Sequence, residues 1–319
     1  MADVTSTAEL ANAKAPKRRK KRKKVSISLY LMTLPVVIYM LINNYLPMLG
    51  IYLAFVKIDW SKGIFRSPFI GLKNFEFLFK SKDAFIMIRN TLGYNIVWIL
   101  LGTTIAVIIA LFMSELANSH SVFAKILQPI ICFPGLISTV ILSGLVYAFL
   151  STQTGLLNHT IFAENPINWY ATAAYWPLIL TIVHLWSVSG QSSIIYMASI
   201  SGVDKSIYES AKIDGATKLQ QITKITLPLI RPMIIMMLLM NIGKIMNSDF
   251  GMFYQVPRNS GMLYNVTQTV DTYVYRALME MNNVSMSSAA SVFQSLVGFL
   301  LVVGTNLIVK KVDPESAIF

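Results

Sequence analysis

The feature that most constrains this chain is a set of long runs with no charged side chain: residues 27–46, 92–113, 126–150, 174–203 and 284–309. A helix needs roughly 20 apolar residues to cross the hydrocarbon core of a bilayer. A sixth apolar stretch, 230–247, carries Lys244 inside it and Arg231 at its edge. The pattern predicts an all-α integral membrane protein with six transmembrane helices, near 27–46, 92–113, 127–149, 176–198, 230–247 and 287–309. Composition agrees. The chain is 55% hydrophobic and 13% charged, against roughly 25% charged in a soluble domain. A soluble single-core enzyme and a disordered chain are both excluded. Cys132, the single cysteine, has no internal partner for a disulfide.

Orientation follows from Lys and Arg near the span ends. Residues 14–24 hold nine of the 27 basic residues, eight of which form the unbroken run 17–24 directly before the first span. The reading is a cytoplasmic basic tail, 1–26, followed by a transmembrane domain, 27–319. Six spans return the C-terminus to the cytoplasm, where Lys310 and Lys311 fit. The loop between spans four and five faces inward with Lys205, Lys212, Lys218, Lys224 and Arg231, whereas the loop between spans three and four has no Lys or Arg. The segment 47–91 faces outward despite seven basic residues, since long loops translocate largely regardless of charge. The first span has a basic flank but no small-x-small cleavage site after it, so it reads as a retained anchor. The tail meets anionic lipid head groups at about 1 kcal/mol per charge, and a nucleic-acid partner is not expected.

Catalytic signatures are absent from the sequence. There is no G-x-x-x-x-G-K-[ST] phosphate loop, no H-E-x-x-H and no G-x-S-x-G elbow. Spans one to four and span six contain no Asp or Glu, which disfavours a proton-coupled carrier. No metal site and no cofactor bound by this chain are expected.

The inward loop 201–228 reads as a compact bracket. Asp204 is placed to cap a short helix, with Val203, Ile207 and Ala211 on one face and Tyr208 beside them. Gly215 is suited to end that helix in the left-handed conformation. Thr217 starts a second helix with Leu219, Ile222 and Ile225 inward, and Pro228 stops it and launches span five. Such a bracket presents a short amphipathic helix to a partner's groove.

Glu209-Ser210-Ala211, Asp214-Gly215-Ala216 and Ile225-Thr226-Leu227-Pro228 resemble the EAA motif of bacterial ABC importer permeases, E-A-A-x-x-D-G-A followed by I-x-L-P. Ser210 for Ala is the one departure in the triplet. Gly71-Leu72-Lys73-Asn74-Phe75 is similar to the G-L-x-N-F of carbohydrate permeases. The stretches 44–55 and 63–68, with Asp271-Thr272-Tyr273-Val274-Tyr275-Arg276, resemble LplB-type oligosaccharide permeases. The resemblance implies a type I importer permease fold in the bacterial plasma membrane. It further implies that Glu209, Ser210, Ala211, Asp214, Gly215, Ala216, Leu227 and Pro228 couple to a separate ATPase. ATP and Mg then belong to that ATPase, and the other partners are a second homologous permease, an extracellular substrate-binding protein and an oligosaccharide. An importer permease for another solute and a stand-alone secondary carrier are the alternatives.

For the pathway, span five carries Asn241, Lys244 and Asn247 on one helical face. A lysine at membrane depth is a functional candidate by default, with snorkelling toward the outer interface as its competitor. Span four carries Thr181, His184, Ser187 and Gln191 at similar spacing, which also suits helix packing. Tyr254, Tyr264, Tyr273 and Tyr275 fall in the outward segment 248–286, where they either line an outer mouth or anchor the interface.

Overall fold

A computed structural model describes residues 27–118 and 122–312. The basic tail, His120 and residues 313–319 lie outside the described residues. Two compact units divide the chain at Leu49 and Gly50. In the first, α1 (Ile27–Met40) continues through a π-helical turn, Leu41–Tyr45, into Leu46–Met48. Five helical stretches are long and apolar enough to cross a membrane, and a bent pair makes six when it counts as one crossing.

The second unit is helical. Its long elements are α2 (Lys82–Asn118), the bent pair α3 (Val122–Cys132) and α4 (Thr139–Leu150), and α5 (Trp176–Ser201). After them come α6 (Lys205–Ile213), α7 (Lys218–Gln221), α8 (Leu227–Gly243), α9 (Phe250–Gln255), α10 (Val270–Met279) and α11 (Val284–Val312). The most extensive packing joins α2 to α5, with α11 held between α8 and α10. One core gathers Trp98, Trp176, Leu180 and Phe253, and a second gathers Met87, Met246, Tyr273 and Ala290. A third holds Ala106, Ala110, Tyr196 and Ile230.

Three departures from the sequence reading have physical causes. The helices outrun the apolar runs. At 37 residues, α2 is about 55 Å long at 1.5 Å per residue, so its ends lie beyond the hydrocarbon and tolerate Asp83, Arg89 and Glu115. The third predicted span, 127–149, is not one rod. Pro134 lacks the N–H a continuous helix needs, residues Phe133–Leu136 tighten into a 3₁₀ turn, the backbone is extended at Ile137 and Ser138, and the arms on either side meet at 95°. Finally, Pro228 does not stop a helix: α7 runs through a π-helical stretch, Ile222–Thr226, straight into α8. A π turn widens the helix just where the proline ring would meet the preceding turn's carbonyl.

The bend of α3 is tied to α5 at one close approach. A Cβ on Gly190 would lie 2.0 Å from the Ile131 carbonyl oxygen, so only glycine lets these backbones meet.

Candidate functional site: an exposed bracket and a polar groove

The bracket is built by caps. The Asp204 carboxylate accepts from the Ser206 N–H at 2.9 Å and starts α6. Hydrogen bonds from Ser206 hold that carboxyl below its ordinary range. At the other end, Ala216 N–H donates to the Ala211 carbonyl at 2.9 Å and Gly215 N–H to Lys212 at 3.1 Å. This is the Schellman arrangement, and Gly215 takes φ +77° to complete it. Thr217 and Gln220 then form a capping box that begins α7.

Two contacts join the bracket to the long helices. The Tyr208 hydroxyl lies 3.0 Å from the Thr226 hydroxyl, so α6 is tied to the π-helical turn. The Lys218 ammonium donates to Glu115 Oε2 at 2.5 Å, so the start of α7 is tied to the end of α2. A cavity of about 440 Å³ lies between these elements, lined by Glu115, Tyr208, Glu209 and Gln221 among others.

The outer surface of the bracket presents two large apolar side chains among polar ones where it turns. Glu209, Ser210, Asp214 and Gly215 are exposed, Ala211 and Ala216 half-buried. Ile213 is 87% exposed and Leu219 70%. The inward placement of Leu219 is therefore overturned. The π turn adds one residue, and the inward row becomes Gln221, Thr226 and Ile230, each buried. Leu219 stands two residues before Gln221, on the far side of the helix. Leu227 is half-buried and Pro228 exposed.

The second feature is a groove of about 270 Å³ between α2, α5 and α8. It brings together His184, Asn241, Lys244 and Asn247, with Asn95, Trp98 and Ser192. Span five ends at Gly243, so Lys244 sits in a non-helical turn that runs to Asp249. Backbone carbonyls released inside a membrane need partners, and two amides supply them. Asn95 Nδ2 donates to Ile245 O at 2.8 Å and to Asn247 O at 3.1 Å. Gln294 Nε2 donates to Met246 O at 2.8 Å, to Asn247 Oδ1 at 3.1 Å and to Asp271 Oδ1 at 3.0 Å. Asp271 in turn accepts from the N–H and hydroxyl of Ser248, at 2.6 and 2.7 Å. The His184 ring lies flat on Trp98, with centroids 3.7 Å apart.

Gln191 lies apart from this group, against Gly135. The groove follows His184, Val188, Ser192 and Tyr196, a strict i+4 row, and that row drifts around the helix away from position 191. Tyr254 and Tyr275 pack together with Phe250, with centroids 4.8–5.0 Å apart. Tyr273 is elsewhere: it is 8% exposed and stacks on Phe77. Tyr264 lies under the Arg276 guanidinium. Sequence reasoning missed Glu115, Ile213, Asn95 and Trp98. The spacing of Asn95, Trp98 and Gly102 marks one helical face and was a readable signal.

Two sequence motifs gain a physical reason. Asn74 of G-L-K-N-F donates to the carbonyls of Ala54 and Val56, both at 2.9 Å, and so clamps the chain ahead of α2. Asp271 of D-T-Y-V-Y-R pins the turn after span five.

Comparison with known proteins was made against this geometry. Residues 102–315 match the family described as binding-protein-dependent transport system inner membrane component. The polygalacturonan/rhamnogalacturonan transport system permease protein YteP of Bacillus subtilis is 34% identical over 307 residues, 94% of each chain. Protein LplB of the same organism is 31% identical over 290 residues, 90% of each. A solved bacterial ABC transporter involved in the import of the acidic polysaccharide alginate contains a chain that superposes with TM-score 0.81 at 30% identity. The match covers 90% of this chain and 96% of that one.

Proposed function

Because this chain belongs to the inner membrane components of binding-protein-dependent transport systems, we propose that it forms one half of an oligosaccharide pathway powered by a separate ATPase. Its family consists of multi-pass permease subunits, which are not enzymes. ATP and Mg act on the ATPase, and a second, homologous permease closes the other half of the groove. An extracellular binding protein delivers the cargo. The relatives' names and the alginate importer support a carbohydrate cargo, and a second solved structure pairs that importer with a periplasmic protein carrying an alginate pentasaccharide.

The observation that carries the reading is the bracket. A short capped helix stands proud of the spans, exposes Ile213 and Leu219, and is tied through Lys218 and Tyr208 to α2 and span five. Movement of a partner that grips Glu209, Ser210, Ala211, Asp214, Gly215 and Ala216 is passed to both helices, with Leu227 and Pro228 carrying it into α8. His184, Asn241, Lys244 and Asn247 line the pathway in this account. Gln191, Tyr254, Tyr273 and Tyr275 stand outside the groove, and Tyr254 with Tyr275 forms an outer aromatic patch. The basic tail 1–26 meets anionic lipid on the cytoplasmic side.

The test uses the assembled complex in liposomes. Replacing Glu209 by Ala is expected to lower oligosaccharide uptake and to weaken the stimulation of ATP hydrolysis by loaded binding protein. Wild-type values for both would overturn the reading.

A further inference from the structure

We propose that Lys244 receives the carboxylates of its cargo, so that the groove is fitted to oligosaccharides containing uronic acids rather than to neutral ones. This rests on the oligosaccharide reading and adds the charge of the substrate to it.

Lys244 is exposed to the groove at the end of span five. The ion pairs among the described residues join Lys62 to Asp59, Lys80 to Glu76 and Lys218 to Glu115, and none involves Lys244. The two carboxylates closest in sequence are committed elsewhere. Asp249 caps α9 by accepting from Met252 N–H at 3.0 Å. Both oxygens of Asp271 are held by Ser248 and Gln294. The groove's other polar side chains, from α2, α5 and α8, are neutral amides, hydroxyls and the His184 imidazole. An ammonium that faces the groove with no counter-charge among the described residues is open to a passing anion, which supplies that charge.

Neutral sugars are recognised differently. They stack on open aromatic faces and bond to amides and hydroxyls. In this groove Trp98 is 5% exposed, one face covered by His184, and its indole N–H is spent on Thr181 at 3.1 Å. The Asn95 amide is spent on two carbonyls. A free cation therefore remains as the strongest binding group on offer. An ammonium–carboxylate contact is a charge-assisted hydrogen bond, stronger than a neutral one. At 270 Å³ the groove is smaller than the roughly 300–1,000 Å³ of common ligand pockets, so a glycan presents its acidic groups to Lys244 in turn.

The experiment compares uptake of uronic-acid trisaccharides from pectin and alginate digests with uptake of their methyl esters, the same sugars without the charge. It uses the assembled transporter carrying wild-type chain, K244Q, K244M or K244R, each first shown to co-purify with its partners. The expected result is that K244Q and K244M lower acid uptake about tenfold relative to ester uptake, and that K244R restores it. An equal fall for acid and ester, or no change, overturns the proposal and makes Lys244 an interface anchor. Where the binding protein refuses the esters, equal acid uptake by K244Q and K244R overturns it. Wild-type uptake of neutral but not acidic oligosaccharides overturns the charge assignment alone. Uptake of no oligosaccharide overturns the cargo reading as well.

Discussion

Lys218 holds Glu115 at 2.5 Å across 103 positions of sequence, and this pair fastens the first turn after the bracket to the last turns of α2. Both side chains are substantially exposed, 59% and 40%. An exposed ion pair adds only about 0–1 kcal/mol to stability. In the coupling role proposed for the bracket, its value is mechanical: it sets which helix the bracket pulls.

Breaking that pair therefore separates stability from coupling. Glu115→Gln is expected to leave the melting temperature within a few degrees of wild type while lowering uptake per ATP hydrolysed. The charge-swapped double variant, Glu115→Lys with Lys218→Glu, is expected to recover part of the loss. The ratio of uptake to ATP hydrolysis in liposomes checks both. An unchanged ratio in the single variant would remove the pair from the coupling path.

Gly215 carries a conformational demand. Its φ of +77° costs a β-branched residue roughly 1–3 kcal/mol. A Cβ would meet nothing within 4 Å, so the penalty is backbone strain and not a clash. Gly215→Val is expected to unwind the end of α6 and uncouple transport, and Gly215→Asn, which tolerates the left-handed region, to do so less. Uptake that falls equally for Asn and Val would contradict the strain account.

Gly190 makes a steric demand instead. The Ile131 carbonyl oxygen would sit 2.0 Å from an added Cβ, and overpacking of this kind costs typically 1–3 kcal/mol. Gly190→Ala is expected to lower the thermal midpoint of the purified protein in detergent by several degrees. A midpoint equal to wild type would mean that α3 moves aside freely.

The turn after span five rests on Gln294 and Asp271. Gln294→Leu leaves the Met246 carbonyl without its donor, at about 1–3 kcal/mol for an unsatisfied buried group. Because the same turn carries Lys244 and Asn247, the variant is expected to raise the KM for uptake more than it lowers the maximal rate. A fall in maximal rate alone would place the turn outside the binding path.

Much of this was legible in the chain itself, and for physical reasons. Charge-free runs are a direct statement about solvent, so the spans could be read. Asp204, Gly215 and Thr217 act within a few residues of themselves, so the caps of the bracket could be read too. Leu219 could not be placed, because its side depends on a π turn that adds one residue to the register. Nor could the 95° bend at Ile137 and Ser138, just after Pro134, since a proline in a helix kinks or breaks it according to what packs alongside. Glu115 and Asn95 act across about 100 and 150 residues of sequence, so the helical face of Asn95 could be read from its spacing but the partners of both could not. Gln191 falls outside this groove for a subtler cause: the groove follows an i+4 row, and position 191 lies beside that row.

The central claim is that the bracket is gripped by an ATPase, and cross-linking tests it most directly. Ile213, 87% exposed, is replaced by cysteine in a chain whose own Cys132 has been changed to Ser. The assembled complex is then treated with a short thiol-to-amine cross-linker, with and without ATP. The account predicts a cross-link from position 213 to the ATPase subunit that changes in yield when ATP binds. A complex that hydrolyses ATP and transports its cargo, yet gives no ATPase cross-link from position 213, would contradict it.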